Sequence, residues 1–472
     1  LPRRSLAIAP LVAACLLAAS GARAGFDVRW AKLGGPPGTP EVRAHVDFAL
    51  EQGFNGFFVY SHEAGAWDAQ RAPGGPFLTP AFRNFAAECR DRGIRLLVSI
   101  NPVADERNFI FSEPDGESRI LAFVALLRAE GVRELVLSFD DQPTRLMELR
   151  DVVRYGFPAA PAHLDLTRRI AKRLRRDTTL WLCASAYCDR HLGNGSTPYA
   201  KAFLAGLHRL PRRVGIVWTG PTVISPSITR EDLARTRARL GGRRLFLYDN
   251  YPVDDDPGDA LAVPLGPLRG RGADLDLEAD AYLHCPTTRL GANRLPLLTV
   301  AAWLADPAGY VPEVAWKRAR ERLAGQSPSA RSALETQALE WGAWVDSRFW
   351  SGRERENPAT AAAVLGDPVG LDRWTWVAAR YPDRMRALEG VADRTFRDDL
   401  LALMARRLAV ARALPLAEEY RVRRAAGRPD AIEVLDAIDA ERAALASTPD
   451  ARAALEHTMA YAQIPLRPLR RP

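Results

Sequence analysis

Eight short β-forming runs, separated by segments of helix length, fill residues 26 to 286, and this alternation constrains the chain more than any other feature. The runs are FDVRW ending at Trp30, FFVY at Tyr60, RLLVSI at Ile100 and ELVLSF at Phe139. LWLCA at Ala184, VGIVW at Trp218, LFLYD at Asp249 and AYLH at His284 complete the set. Val, Ile, Leu and aromatic residues dominate them, as expected of strands buried on both faces. Arg43 to Gln52, Pro80 to Arg92 and Thr229 to Leu240 read as intervening helices. The last opens with Thr229 as N-cap and with Glu231 and Asp232 in its first turn, where carboxylates favour the helix dipole. Strand–helix alternation demands a parallel sheet, and eight repeats in about 260 residues match a (β/α)₈ barrel. A doubly wound open sheet is the competitor. It would show a dinucleotide-type glycine turn after its first strand, and Gly34-Gly35-Pro36-Pro37-Gly38 lacks that spacing.

After Leu304 the strand signal stops. DPAGYVPE reads as a linker, and residues 309–472 read as a separate all-helical domain following a barrel domain at 25–308. Ser327-Pro328 and Thr448-Pro449 each pair an N-cap with an N1 proline. Leu334, Ala338, Trp341, Val345 and Phe349 then recur at helical spacing. Tryptophans in such a pattern are expected in the core. The competing expectation is an exposed patch of Trp341, Trp344 and Trp350 that recruits a partner or lines a sugar groove.

The N-terminus carries Arg3 and Arg4, then LAIAPLVAACLLAA, then Ala22-Arg23-Ala24. A basic start, a short apolar run and an A-x-A site read as a secretory signal peptide over 1–24, cleaved after Ala24. The run is too short, and Pro10 too central, for a transmembrane helix. Val12-Ala13-Ala14-Cys15 also matches a lipoprotein box with a lipid anchor at Cys15, but the chain stays apolar beyond it, which favours plain cleavage. An exported protein, periplasmic or extracellular, is the expectation. The net charge of +8, spread over the whole chain, falls to +5 without Arg3, Arg4 and Arg23. It gives no concentrated basic face and does not point to nucleic acid. Cys89, Cys183, Cys188 and Cys285 remain, with no C-x-x-C and no zinc-type spacing, so neither metal nor other cofactor is called for.

In a barrel of this kind the active site lies at the carboxyl ends of the strands. Those ends carry Ser61-His62-Glu63, Asn101, Asp140-Asp141, Trp218-Thr219, Asp249-Asn250 and His284-Cys285, with Tyr187 just beyond strand five. Asp140-Asp141 is the sharpest feature. Two carboxylates this close raise one pKa into the range of a general acid, as a glycosidase needs. A solvated loop or helix cap is the plainer reading of such a dipeptide.

Around that pair several segments occur in order: LSFDDQ (137–142), WLCASAYC (181–188), IVWTGPTVISPSIT (216–229), LYDNYPVDD (247–255), LGPLRGRGADL (265–275) and GANRLPLLTVAAWLADPAGYVPEVAW (291–316). Over about residues 55 to 316 the chain resembles glycoside hydrolase family 84, the β-N-acetylglucosaminidases that include protein O-GlcNAcases. The resemblance implies retaining, substrate-assisted hydrolysis of 2-acetamido sugars in a carbohydrate or glycoconjugate, through an oxazoline and without a cofactor. It implies that Asp140 holds the acetamide N–H and that Asp141 protonates the leaving oxygen and then activates water. It further implies that Tyr187 bonds the acetamide region and Tyr248 walls its pocket. Asn250 would orient the acetamide, and Asp255 would accept the sugar's 4- and 6-hydroxyls.

Three positions depart from the family pattern. FDVRWAKLGGPPG stands where G-F-Y-G-x-P-W is usual. Tyr60-Ser61-His62-Glu63 replaces Y-A-P-K, so Glu63 stands at the sugar-binding lysine, and Cys285 stands where an asparagine precedes proline. The acetamide side is thus kept and the hydroxyl-binding side altered. Each lost polar contact is worth about 1–3 kcal/mol, which implies a sugar decorated or linked differently from simple terminal GlcNAc. A catalytically degenerate, glycan-binding barrel is the alternative.

Overall fold

The computed structural model describes residues 25–106, 108–253, 261–344 and 358–466. The expected signal peptide, Cys15, Asp255 and Trp350 lie outside the described residues. Strands β1 (Arg29–Lys32), β2 (Gly56–Tyr60), β3 (Arg95–Ile100) and β4 (Glu134–Ser138) are followed by β5 (Thr179–Cys183), β6 (Gly215–Trp218), β7 (Leu245–Asp249) and β8 (Ala281–His284). All pair in parallel, and β8 pairs β1, so the sheet closes into the barrel expected from the alternation. Seven of the eight runs end within one residue of their expected position. The first runs two residues further, because Ala31 and Lys32 still pair with β2.

The helices start where local chemistry dictates. Thr39-Pro40, Thr79-Pro80 and Thr197-Pro198 open helices α1 (Pro40–Glu51), α2 (Pro80–Asp91) and α3 (Pro198–Gly206). In each the threonine hydroxyl accepts an N–H that has no partner inside the helix, at 3.1–3.3 Å, and the proline sits where no N–H is needed. Thr229 and Asp232 form a reciprocal capping box at α4 (Arg230–Arg239).

Successive strand residues face opposite sides, and two sets of buried side chains result. One set faces the outer helices and includes Phe57, Val98, Leu137, Leu182, Ile216 and Leu247. The other fills the barrel: Trp30, Phe58, Leu97, Val136, Trp181, Val217, Phe246 and Leu283. Trp30 and Trp181 pack on Phe246 with ring centroids 5.0 and 5.5 Å away. Room for the two indoles comes from Gly56 and Gly215, where an added Cβ would strike the Trp30 and Trp181 rings respectively.

Beyond the barrel lie α5 (Arg294–Ala305), α6 (Pro312–Ala324), α7 (Pro328–Trp344), α8 (Pro368–Leu388), α9 (Arg394–Ala425), α10 (Ala431–Ala444) and α11 (Pro449–Tyr461). Both Ser/Thr-Pro starts are found at α7 and α11. Trp341 is fully buried, in agreement with the core expectation, whereas Trp376 on α8 is exposed; Val345, Phe349 and the Trp344 side chain lie outside the described residues. The outer core of the barrel continues into these helices. Trp316 Nε1 donates to the Leu265 carbonyl at 2.7 Å, and Arg294 pairs with Asp393 at 2.6 Å. No helix among the described residues is long and apolar enough to cross a membrane.

Gly215→Ala should cost about 1–3 kcal/mol by overpacking against Trp181, read as a lower urea midpoint. Gly74→Ala, whose methyl meets open space, should change stability by less than about 0.5 kcal/mol. Equal midpoints for the two variants would dismiss the tryptophan floor as a constraint.

Candidate active site

Two positions beyond that interior floor, each strand delivers one more inward residue. From Trp30, Phe58, Leu97, Val136, Trp181, Val217, Phe246 and Leu283 this step reaches Lys32, Tyr60, Ser99, Ser138, Cys183, Thr219, Tyr248 and Cys285. All eight line a single cavity at the mouth of the barrel. One further step on β4 and β7 reaches Asp140 and Asn250, which line it too, as do Asp141 and Tyr187. Six of the seven residues expected at the site are therefore gathered in one place. The seventh, Asp255, lies outside the described residues.

Asp140 sits deep in the cavity. Its Oδ1 accepts the Ser138 hydroxyl from β4 and, at 3.4 Å, the Asn101 amide at the end of β3. Asp141 is exposed at the mouth and has a left-handed backbone, φ 56°. Its Oδ1 accepts the Tyr187 hydroxyl at 2.6 Å. Burial and the adjoining Asp141 carboxylate hold the Tyr187 phenol far above its usual pKa, so it stays a neutral donor. Burial also pushes the Asp140 carboxyl up; the Ser138 hydrogen bond opposes this, and the Asp141 charge adds a smaller upward push. The expectation from the sequence put the raised pKa on the leaving-group acid and attributed it to like charges. In the structure the raised carboxyl is Asp140, and burial is the first cause.

Asn250 donates from Nδ2 to the Val223 carbonyl at 2.8 Å, which ties the end of β7 to the loop after β6. Just before it, Asp249 is buried and takes both arms of Arg271, from Nε at 2.8 Å and Nη2 at 2.7 Å, plus the Tyr282 hydroxyl at 2.9 Å. Arg271 belongs to the LGPLRGR segment. Its side chain is wholly buried, so a bidentate pair locks the long β7–β8 connection onto the strand that carries Tyr248 and Asn250. Tyr248 is half-buried, with its hydroxyl 3.6 Å from Cys285 Sγ. The four described cysteines are all buried, and none of them, Cys183 and Cys188 included, is in a disulfide.

Glu63 does not line the cavity. It turns back to accept the Tyr60 N–H at 2.9 Å, and burial raises its pKa to about 7. Instead Lys32 reaches the cavity from β1, with Nζ 5.0 Å from the centre of the Tyr60 ring. Lys32 is absent from the sequence-derived site because the first strand was ended at Trp30. The alternation Val28, Trp30, Lys32 is the signal that locates it. Among the described residues, no group of three or more His, Cys, Asp or Glu side chains could hold a metal ion.

A closed parallel barrel with a pocket at its carboxyl rim has its active site where barrel enzymes have theirs, and the two aspartates in that pocket fit acid/base chemistry. The family model for β-N-acetylglucosaminidase matches residues 78–338, more than half of the chain. The chain belongs to that glycosidase family, whose substrates are carbohydrates. Among solved structures, a mutant of the Thermobaculum terrenum O-GlcNAc hydrolase is similar with a TM-score of 0.61 and 18% identity, over 93% of this chain and 96% of that one. A second, titled CpGH84B, is similar with a TM-score of 0.56 and 17% identity, over 88% and 74%. At such identities the likeness to these two concerns the fold.

The upward shift of Asp140 sets a pH test. Its native pKa lies above that of an unfolded aspartate, so the folded state binds the extra proton and stability falls as pH rises between the two values. Asp140→Asn should therefore be more stable than wild type at pH 7. The gain should vanish below the ordinary aspartate range of about 3.9. Urea unfolding at pH 7 and at pH 3.5 reads this directly, and an unchanged gain at both would contradict it.

Proposed function

We propose that this chain is a retaining β-N-acetylglucosaminidase that uses the substrate's own 2-acetamido group as nucleophile. The carrying observation is the contrast between neighbours in one pocket. Asp140 is deep and held by Ser138 and Asn101, while Asp141 is exposed at the mouth on Tyr187. In this reading the acetamide oxygen bonds to the anomeric carbon as the bond to the leaving oxygen breaks. Asp141 gives its proton to that oxygen and, from the exposed rim, takes one from the water that opens the oxazoline. Asp140 accepts the acetamide N–H and stabilises the positive charge that develops there. That donor and that charge favour the anion, so substrate offsets the burial that raises Asp140 in the empty pocket. Tyr187 holds Asp141, Tyr248 walls the acetamide, and Asn250 and Asp255 complete the sugar contacts. Arg3, Arg4, the apolar run and Ala22-Arg23-Ala24, read as a leader, would send the protein to substrates outside the cytoplasm. The alternative, a glycan-binding barrel without turnover, draws on Glu63 facing away from the cavity and on Cys285 in its wall.

Chromogenic 2-acetamido-β-glycosides test the reading. Asp140→Asn and Asp141→Asn should each lose about 10²–10⁴-fold in kcat. A leaving group that needs no protonation should restore activity to Asp141→Asn alone. Ser138→Ala removes a hydrogen bond that favours the Asp140 anion, so it should move the acid limb of kcat/KM to higher pH. Glycan binding with no turnover of any substrate by wild type would select the binding protein instead.

A further inference from the structure

We propose that His191 is a positioning residue for the acid/base step: it holds the Tyr187 ring at the angle from which the hydroxyl reaches Asp141. The proposal deepens the glycosidase reading and rests on it, because Asp141 is the group that His191 serves.

Three rungs join the ends of β4 and β5. The Phe139 N–H donates to the Cys183 carbonyl at 2.8 Å, the Ser185 hydroxyl to the Phe139 carbonyl at 2.9 Å, and the Tyr187 hydroxyl to Asp141 Oδ1 at 2.6 Å. Each of the first two includes a backbone atom. The third joins two side chains, so its geometry follows the rotamer of the Tyr187 ring. Thr219 fixes only the backbone there, its N–H donating to the Tyr187 carbonyl at 3.0 Å.

The His191 ring meets that phenol edge-to-face, with centroids 4.8 Å apart and planes at 79°. His191 lies on a single helical turn, Asp189–Leu192, that is pinned at three points. The Asp189 and Arg190 N–H groups donate to the Gly220 and Pro221 carbonyls of the loop after β6, at 3.0 and 2.9 Å. Asp189 Oδ1 accepts the Thr236 hydroxyl of α4 at 2.7 Å. A turn anchored to β6 and α4 thus carries the imidazole back onto the ring four residues earlier.

His191 acts there by shape. Its Nδ1 is buried with no hydrogen-bond partner among the described residues. Burial is the first cause that lowers its pKa; Asp141 and the Ser185 backbone oppose the shift, and Arg190 adds to it. The imidazole is therefore uncharged at neutral pH. Another neutral ring can take over a contact of this kind, whereas it could not replace a charge acting directly on Asp141.

The test measures kcat/KM on two aryl 2-acetamido-β-glucosides for wild type, His191→Ala, His191→Phe, Tyr187→Phe and the double variant Tyr187→Phe with His191→Ala. One substrate carries a methoxyphenyl group, which needs a proton to leave, and the other a dinitrophenyl group, which does not. Urea midpoints report the fold of each variant. His191→Ala should lose about 3- to 10-fold on the methoxyphenyl glycoside and less than about twofold on the dinitrophenyl one. His191→Phe should keep most of the wild-type rate on both. In the Tyr187→Phe background His191→Ala should cause no further loss, since the ring then has no hydroxyl to aim. Equal losses on the two leaving groups, a loss in His191→Phe as large as in His191→Ala, or an undiminished loss in the Tyr187→Phe background would each overturn the proposal. If wild type turns over neither glycoside, the catalytic reading fails by itself, and crystal structures of wild type and His191→Ala decide the position of the ring. A Tyr187–Asp141 hydrogen bond lost only in the variant would uphold the role of His191, and the same bond in both would end it.

Discussion

The site depends on one packing constraint, the aromatic floor inside the barrel. Trp30, Trp181 and Phe246 close the lower interior, and Gly56 and Gly215 leave space for the indoles. Because side chains alternate along a strand, that floor decides which residues come next at the rim: Lys32, Tyr60, Ser138, Cys183, Tyr248 and Cys285. It also decides their electrostatics. Floored by these rings, the cavity desolvates what lies deepest. Burial is the leading reason that Asp140, Tyr60 and Tyr248 are all shifted toward their neutral forms.

A floor alone does not hold the mouth in shape, because the loops above it are long. The Asp249–Arg271 pair does part of that work. Buried ion pairs contribute little net stability, since desolvation of the two charges offsets their attraction. Their geometry is strict, however, and here two guanidinium contacts and a tyrosine hydroxyl leave the Asp249 carboxylate little freedom. The residue before Asn250 is thereby fixed, and with it the register at which Tyr248 and Asn250 enter the cavity. The hydrogen bond from Asn250 to Val223 ties the neighbouring loop to the same point.

The barrel was legible in the sequence because its strands are apolar on both faces and their spacing is regular. The acid pair was legible because the rim of such a barrel is a short set of positions. Lys32 was not, for a physical reason. Ala31 and Lys32 have weak strand propensity, and only pairing with β2 and β8 extends the strand through them. Composition ended the run at Trp30, and the alternation needed to go two residues beyond it. The cause of the Asp140 shift was misread as well. Adjacency in sequence speaks to repulsion by Asp141 but says nothing of depth, and burial is the first cause of the shift at Asp140.

That separation has a backbone origin. Along β4 the inward residues are Val136, Ser138 and Asp140, so strict alternation would send Asp141 outward, toward the helices. The left-handed turn at Asp141, φ 56°, breaks the alternation and returns its carboxylate to the cavity mouth. Aspartate tolerates that conformation better than most residues, and the Tyr187 hydrogen bond holds the result. Two consecutive residues thus reach one pocket from different depths, with different neighbours and different access to water. A single polar residue at that position of a regular strand could supply one of these environments; the kink is what lets the chain supply both.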